Sequence, residues 1–261
     1  MSTTRWVALA LLGLGYGIAL SHGALQAPAL LAFGLLVLAA MAVRHTNPPW
    51  LRRLGHVLFI VTSLTLALHG LPGFNNAPIM EYGRSSPDAA PFISNLNLDK
   101  PLIGLWLLLA CPWILHGQSR AYRQAAVVVI ATISLTLALA WMAGLTTWAP
   151  KWPPYAMLWL LNNLLLVTLT EELLFRGYIQ GALQHYCHRR RLQGILPVGI
   201  TASLFGLAHI GGGWLWAVLA GLAGVGYGLA WRYGGLWAAV LAHFGLNLVH
   251  FCLFAYPMLE P

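Results

Sequence analysis

Charge is scarce in this chain. Asp, Glu, Lys and Arg make up 8% of its 261 residues and only six are acidic, where a soluble domain carries about 25%. The deficit runs along the whole length, with a mean hydropathy of +0.72, and it excludes a soluble fold with an ordinary charged surface. Cysteine is also sparse. Cys111, Cys187 and Cys252 form no CxxC pair, which excludes a disulfide framework and leaves them as small buried hydrophobes. No internal repeat is visible, and no Ser or Cys sits in a nucleophile elbow. Ser203 lies nearly two turns before His209 with nothing to mark it. The net charge of +8 does not indicate nucleic acid, because the basic residues fall in short loops between apolar runs and no aromatic-basic interleaving on a polar face is visible.

What the chain has instead is a series of apolar runs. A membrane-crossing helix takes about 17–25 mainly apolar residues. Runs near that length are placed at 6–21, 25–43, 55–69, 101–117, 124–145, 155–178, 195–210, 214–231 and 236–256, of which the first, third and seventh are short enough for one to be re-entrant or to extend further, giving eight to nine spans. The expected fold is an all-α polytopic transmembrane helix bundle of about nine spans. The N-terminal run, although preceded by Arg5 like a signal peptide, reads as the first of these spans because equally apolar ones follow.

Charge placement orients the bundle. With the N-terminus inside, Arg5, Arg44, Arg52, Arg53, Arg120, Arg123, Arg189, Arg190, Arg191 and Arg232 fall on the inner side. Only Arg84, Lys100 and Lys151 fall outside. This asymmetry predicts N-in, C-out. Residues 70–100, rich in Gly, Pro, Asn and Ser, are expected to be an outside loop, either a simple connector or a segment that lies on the membrane surface or covers part of the helix bundle. GxxxG spacings at Gly13 and Gly17, and at Gly224 and Gly228, suggest close helix packing, the second pair inside the bundle. The chain divides into 1–150, without assigned motifs, and 151–261, which carries the polar residues discussed next.

The stretch TEELLFRGY at 170–178 puts Glu171, Glu172 and Arg176 into one apolar span. A charged side chain near mid-membrane costs about 2.5–3.5 kcal/mol on insertion scales, so three facing lipid unpaired would cost on the order of 8–10 kcal/mol. They are therefore expected to face the bundle interior. Glu172 and Arg176 are four residues apart and can pair on one helical face. Glu171 points about 100° away, which leaves one carboxylate aimed elsewhere. Drawn as 155–178, the span places Glu171 toward its inner end; the alternative, one long helix running on to about residue 187, leaves its depth only bracketed. Two further spans carry same-face pairs: Phe205 with His209, and His243 with Asn247.

Such a set has a chemistry. A carboxylate shielded from bulk water can take a proton from it. A histidine can orient that water, and an asparagine amide with a histidine N–H can donate to a developing oxyanion. The reaction class is hydrolysis of an acyl bond, such as a peptide. Two other readings use the same residues. One is a proton-coupled carrier; the other is a non-catalytic membrane partner or immunity protein. The remaining histidines, His56 and His250 among them, read as structural.

The three motifs in this order resemble the CPBP family of intramembrane proteases, which includes the CAAX prenyl endopeptidases. EExxxR is matched by Glu171, Glu172 and Arg176, FxxxH by Phe205 and His209, and HxxxN by His243 and Asn247. The resemblance implies a glutamic-type peptidase in which Glu171 and His209 activate water and His243 and Asn247 form the oxyanion site. Glu172, Arg176 and Phe205 support them. It implies no cofactor, although a Glu/His/His set has donors that zinc accepts. The implied partners are the lipid bilayer and a membrane-anchored protein or peptide substrate. The expected location is a bacterial inner membrane.

Overall fold

The computed structural model describes residues 3–115, 121–188 and 195–260. Arg120, Arg189, Arg190 and Arg191, assigned above to the inner side, lie outside the described residues. The body of the molecule is all-α. Its helices are α1 (Thr3–His22), α2 (Leu30–Ala42), α3 (Pro49–Ala67), α4 (Pro101–Ala110) and α5 (Tyr122–Met142), followed by α6 (Ala156–Cys187), α7 (Leu196–Ala208) and α8 (Trp214–Leu253). Prolines open α3, α4 and α7, where the missing N–H costs nothing.

Among the described residues, α1, α5, α6 and α8 are long and apolar enough to cross a membrane. Helices α2, α4 and α7 are shorter and equally apolar. Large apolar side chains remain exposed along α1, α2, α3, α5 and α7, as lipid-facing surfaces require. The protein is an integral membrane protein.

Helix α8 is two limbs. Gly235 takes φ 73° and ψ −160°, a conformation that side-chain-bearing residues rarely adopt. Tyr227 and His243 stack with ring centroids 4.5 Å apart, whereas a straight helix would separate them by about 24 Å. The chain therefore folds back on itself at Gly235, and the runs expected at 214–231 and 236–256 are its two antiparallel limbs.

Close packing depends on small residues. A Cβ on Gly224 would meet Ala202, and one on Gly228 would meet Gln180 and Val198, so the first limb of α8 does pack inside the bundle. The other GxxxG is corrected: Gly13 and Gly17 have open space around them, and it is Gly15 that abuts Leu165 and Leu166 on α6. The spacing marks a smooth helix surface without saying which side meets a neighbour.

The segment 70–100 is more than a loop, and it qualifies the all-α expectation. Strand β1 (Ala24–Leu25) pairs antiparallel with β2 (Phe74–Asn75), and β3 (Pro78–Gly83) pairs antiparallel with β4 (Phe92–Asn95). Leu96 and Leu98 are buried. The backbone N–H and side-chain amide of Asn97 both donate to Asn162 Oδ1 at the start of α6, at 3.0 and 3.3 Å. The C-terminal segment joins the same end through Ala90 N–H to Met258 O and Leu259 N–H to Leu145 O. The result is a cap across one end of the bundle.

Candidate active site

Helix α6 carries the first group. It departs from α geometry twice, in wider π turns at Asn162–Thr168 and Leu173–Gln180, with the α-helical turn Leu169–Glu172 between them. Such turns are frequent at functional sites because they shift side chains off the regular helical face. The helix also continues well past residue 178. Gln180 Nε2 donates to Gly228 O at 3.0 Å, tying the extension to α8. The two glutamates consequently stand near the middle of α6, not toward one end.

Glu172 is fully buried and both of its oxygens are engaged. Arg176 Nε donates to Oε2 at 3.2 Å, and His243 Nδ1 lies 2.8 Å from Oε1. The i, i+4 pairing expected from the sequence is present, with a histidine from the second limb of α8 added to it. The Arg176 guanidinium lies between 5.3 and 5.9 Å from the ring centroids of Phe205, Tyr227 and Phe175, an aromatic enclosure that suits a desolvated cation. Its two terminal nitrogens have no hydrogen-bond acceptor among the described residues. A buried charge with such few polar contacts depends on its one carboxylate partner.

Beside this network is a cavity of about 80 Å³ lined by Phe205, His209, Tyr227, His243, Asn247 and His250, among others. That is room for a few water molecules. His209 sits where α7 ends, at φ −102° and ψ 8°, instead of inside a helix. Its Nδ1 is 2.8 Å from Phe205 O. A carbonyl only accepts, so Nδ1 carries the proton and Nε2 is left as the free ring nitrogen. Phe205 places the ring further, with centroids 4.5 Å apart. His243 is held from two sides, by Glu172 at Nδ1 and by the Tyr227 ring against its face, so Nε2 is again the remaining edge.

Asn247 Nδ2 donates to Asn163 Oδ1 at 3.2 Å, and Thr168 Oγ1 donates to the same oxygen at 3.2 Å. With Asn163 Oδ1 accepting twice, the second N–H of Asn247 is free for another acceptor.

Glu171 stands apart. It is half-buried, forms no hydrogen bond with the described residues and does not line the cavity. Phe175, one turn further along α6, packs edge-on against Phe205 at 5.1 Å, which puts Glu171 on the α6 face that turns toward α7. Ser203 is exposed and bonds back to Gly199 O at 3.0 Å, away from the cavity.

Sequence reasoning missed Tyr227 and Asn163 and set His250 aside as structural. His250 lines the cavity, with Nε2 3.2 Å from Ala255 O. Its position seven residues after His243, almost on the same helical face, was a usable signal. So was the Asn-Asn pair inside an apolar run. Nothing local distinguishes Tyr227, which meets His243 only because α8 reverses at Gly235. Among the described residues no group of three His, Cys, Asp or Glu side chains is arranged to hold a metal ion. Glu172, the carboxylate nearest the histidines, already has both oxygens committed.

Fold and site together define a class: a helical integral membrane protein with a buried polar network enclosed among its helices. Residues 152–249 match the family described as Rce1-like, type II CAAX prenyl endopeptidase, which supports the resemblance of that segment to the CPBP family of CAAX-type proteases. Curated proteins and solved structures give no match to the chain. The matched segment holds all three motifs and ends within the second limb of α8, while α1 to α5 lie outside it.

Proposed function

We propose that this protein is an intramembrane endopeptidase that hydrolyses a peptide bond of a membrane-anchored protein or peptide. The observation that carries this reading is the meeting of α7 and α8 at one small cavity, with a buried ion pair of α6 behind it. Helix α7 brings His209 with a free Nε2, and α8 brings His243 and Asn247. Helix α6 brings a buried Glu172–Arg176 pair that holds His243 in place.

In the reaction, His209 Nε2 accepts a hydrogen bond from the attacking water. Glu171, the carboxylate without an internal partner, takes the water proton as the oxygen bonds to the carbonyl carbon. The carbonyl π electrons move onto oxygen, and the oxyanion accepts from the free Asn247 N–H and from His243. In that role His243 carries a proton on Nε2, while Nδ1 shares the other proton of its bond with Glu172. Collapse of the tetrahedral intermediate breaks the C–N bond, and Glu171 returns its proton to the leaving amine. Water addition thus balances as one carboxylic acid and one amine.

The reading extends to topology: nine passages, N-in and C-out, in a bacterial inner membrane. Support comes from the hydrogen bonds that gather 23–29, 70–100, 143–155 and the C-terminal segment at one end, while most basic residues belong to the connections of the other.

A terminal-peptide mass-spectrometry comparison of membrane proteins tests the activity. Wild type, a deletion strain, and the deletion carrying Glu171→Gln are compared. Termini present only in wild type are expected. Identical termini in all three, with the protein expressed, would overturn the proposal.

A further inference from the structure

A second cavity, about 1090 Å³ in volume, lies between α2, α3 and α4 and shares no residue with the first. Its origin is local. Helix α4 stops at Ala110, Cys111 leaves helical geometry at φ −124° and ψ 60°, and Pro112 prevents a simple continuation. The end of α2 and the first turns of α3 flank the space left there.

The cavity has two chemically distinct ends. Phe33, Val37 and Met41 line it from α2 at i, i+4 and i+8, an apolar stripe about 12 Å long. Trp106 and Leu109 of α4 face the stripe. The other end holds Arg44, His45, Arg52, Arg53 and His56, and no Asp or Glu lines the cavity anywhere. Arg52 Nε is buried with no hydrogen-bond partner among the described residues, although a buried guanidinium nitrogen normally has one. His56, one turn beyond Arg52, has its Nδ1 2.8 Å from Tyr178 Oη, so the basic end abuts the second π turn of α6.

An apolar slot that leads into a cluster of uncompensated guanidinium groups fits an amphiphile with an anionic head. Arginine forks match phosphate oxygens, and a slot of this length has no use for a free ion. We propose that this groove binds an anionic phospholipid, with its phosphate on Arg44, Arg52 and Arg53 and one acyl chain along Phe33, Val37 and Met41. The reading is independent of the proteolytic one, because none of these residues belongs to the candidate active site.

The test uses the full chain purified in detergent and exposed to phosphatidylglycerol, phosphatidylcholine or soluble glycerol phosphate. Native mass spectrometry reads retention and thermal unfolding reads stabilisation. Phosphatidylglycerol is expected to be retained and to raise the midpoint on the order of 5 °C, with little effect from the other two. Arg44→Gln/Arg52→Gln should lose most of that shift while matching wild type in phosphatidylcholine. Val37→Trp, which fills the chain slot from an exposed position and leaves the arginines intact, should weaken retention about tenfold. It decides the matter should the double variant fail to fold. Equal retention of both lipids would overturn the proposal, as would a full shift from glycerol phosphate or undiminished retention by the variant that folds.

Discussion

Asp99 and Glu172 are both carboxylates withdrawn from solvent, and each is met by a histidine. The side chains of Asp99 and Glu172 are 2% and 0% exposed, while their partners His69 and His243 are 49% and 5% exposed. The difference lies in what else is available. Asp99 sits at the mouth of α4 and accepts from the Lys100 backbone N–H at 2.9 Å, where unpaired amides and the helix dipole favour an anion. Glu172 is in mid-helix, where every backbone N–H is already used. Its partners must be side chains, and only Arg176 and a residue from another helix reach it. Asp99 closes a cap with local groups, whereas Glu172 depends on the assembled bundle.

That contrast can be broken by substitution. Glu172→Ala leaves the Arg176 guanidinium buried without a counter-ion. It should cost about 3–5 kcal/mol and abolish cleavage, as read by unfolding in detergent and by the membrane peptide comparison. Adding Arg176→Met should return much of the stability, since a well-packed apolar pair often replaces a buried ion pair without loss. Activity should stay absent, because His243 has lost its anchor. Recovery of both together would show that the pair is not needed to position His243.

Glu171→Gln should do the opposite. It removes no hydrogen bond within the described residues, so stability should stay within about 0.5 kcal/mol, while cleavage falls by about 10²–10⁴-fold. Unchanged cleavage would remove Glu171 from the mechanism. Asp99→Ala should cost about 1–3 kcal/mol and leave turnover intact, measured on the fraction that remains folded.

The smallest effect concerns the cap. Burial pushes Lys151 down to about 8, against the weaker upward pull of Cys252; its Nζ donates to Phe254 O in the cap. The unfolded chain therefore binds more protons than the folded one between about pH 8 and the ordinary lysine value of 10.5. Stability from this group should rise with pH through that window, and Lys151→Met should flatten the dependence in pH-resolved unfolding.

Much of the architecture was legible because lipid imposes simple rules. Apolar runs had to be helices, and each run placed along the sequence contains one. The Glu172–Arg176 pair followed from 3.6 residues per turn. Misreadings and open questions arose where neighbours decide. Gly13 and Gly17 had suitable spacing and no partner helix. Whether the segment 70–100 was a plain connector or a cover for the bundle stayed open, because strands of two to six residues carry too short a pattern to read. The depth of the glutamates stayed open between a span ending at 178 and one long helix running to about 187; the helix does continue, with Gln180 satisfied by α8.

A chain this poor in charge, with costly polar residues at helical spacings in three apolar runs, had to enclose those residues at a common interior, and its motif order already indicated a family. Spacing also showed that Arg176 could hold only one of the two glutamates. Which histidine completes that pair depended on the reversal at Gly235, as did the placing of Tyr227 against His243. Those contacts join residues far apart in sequence and are set by which helix faces meet, and no local pattern records that.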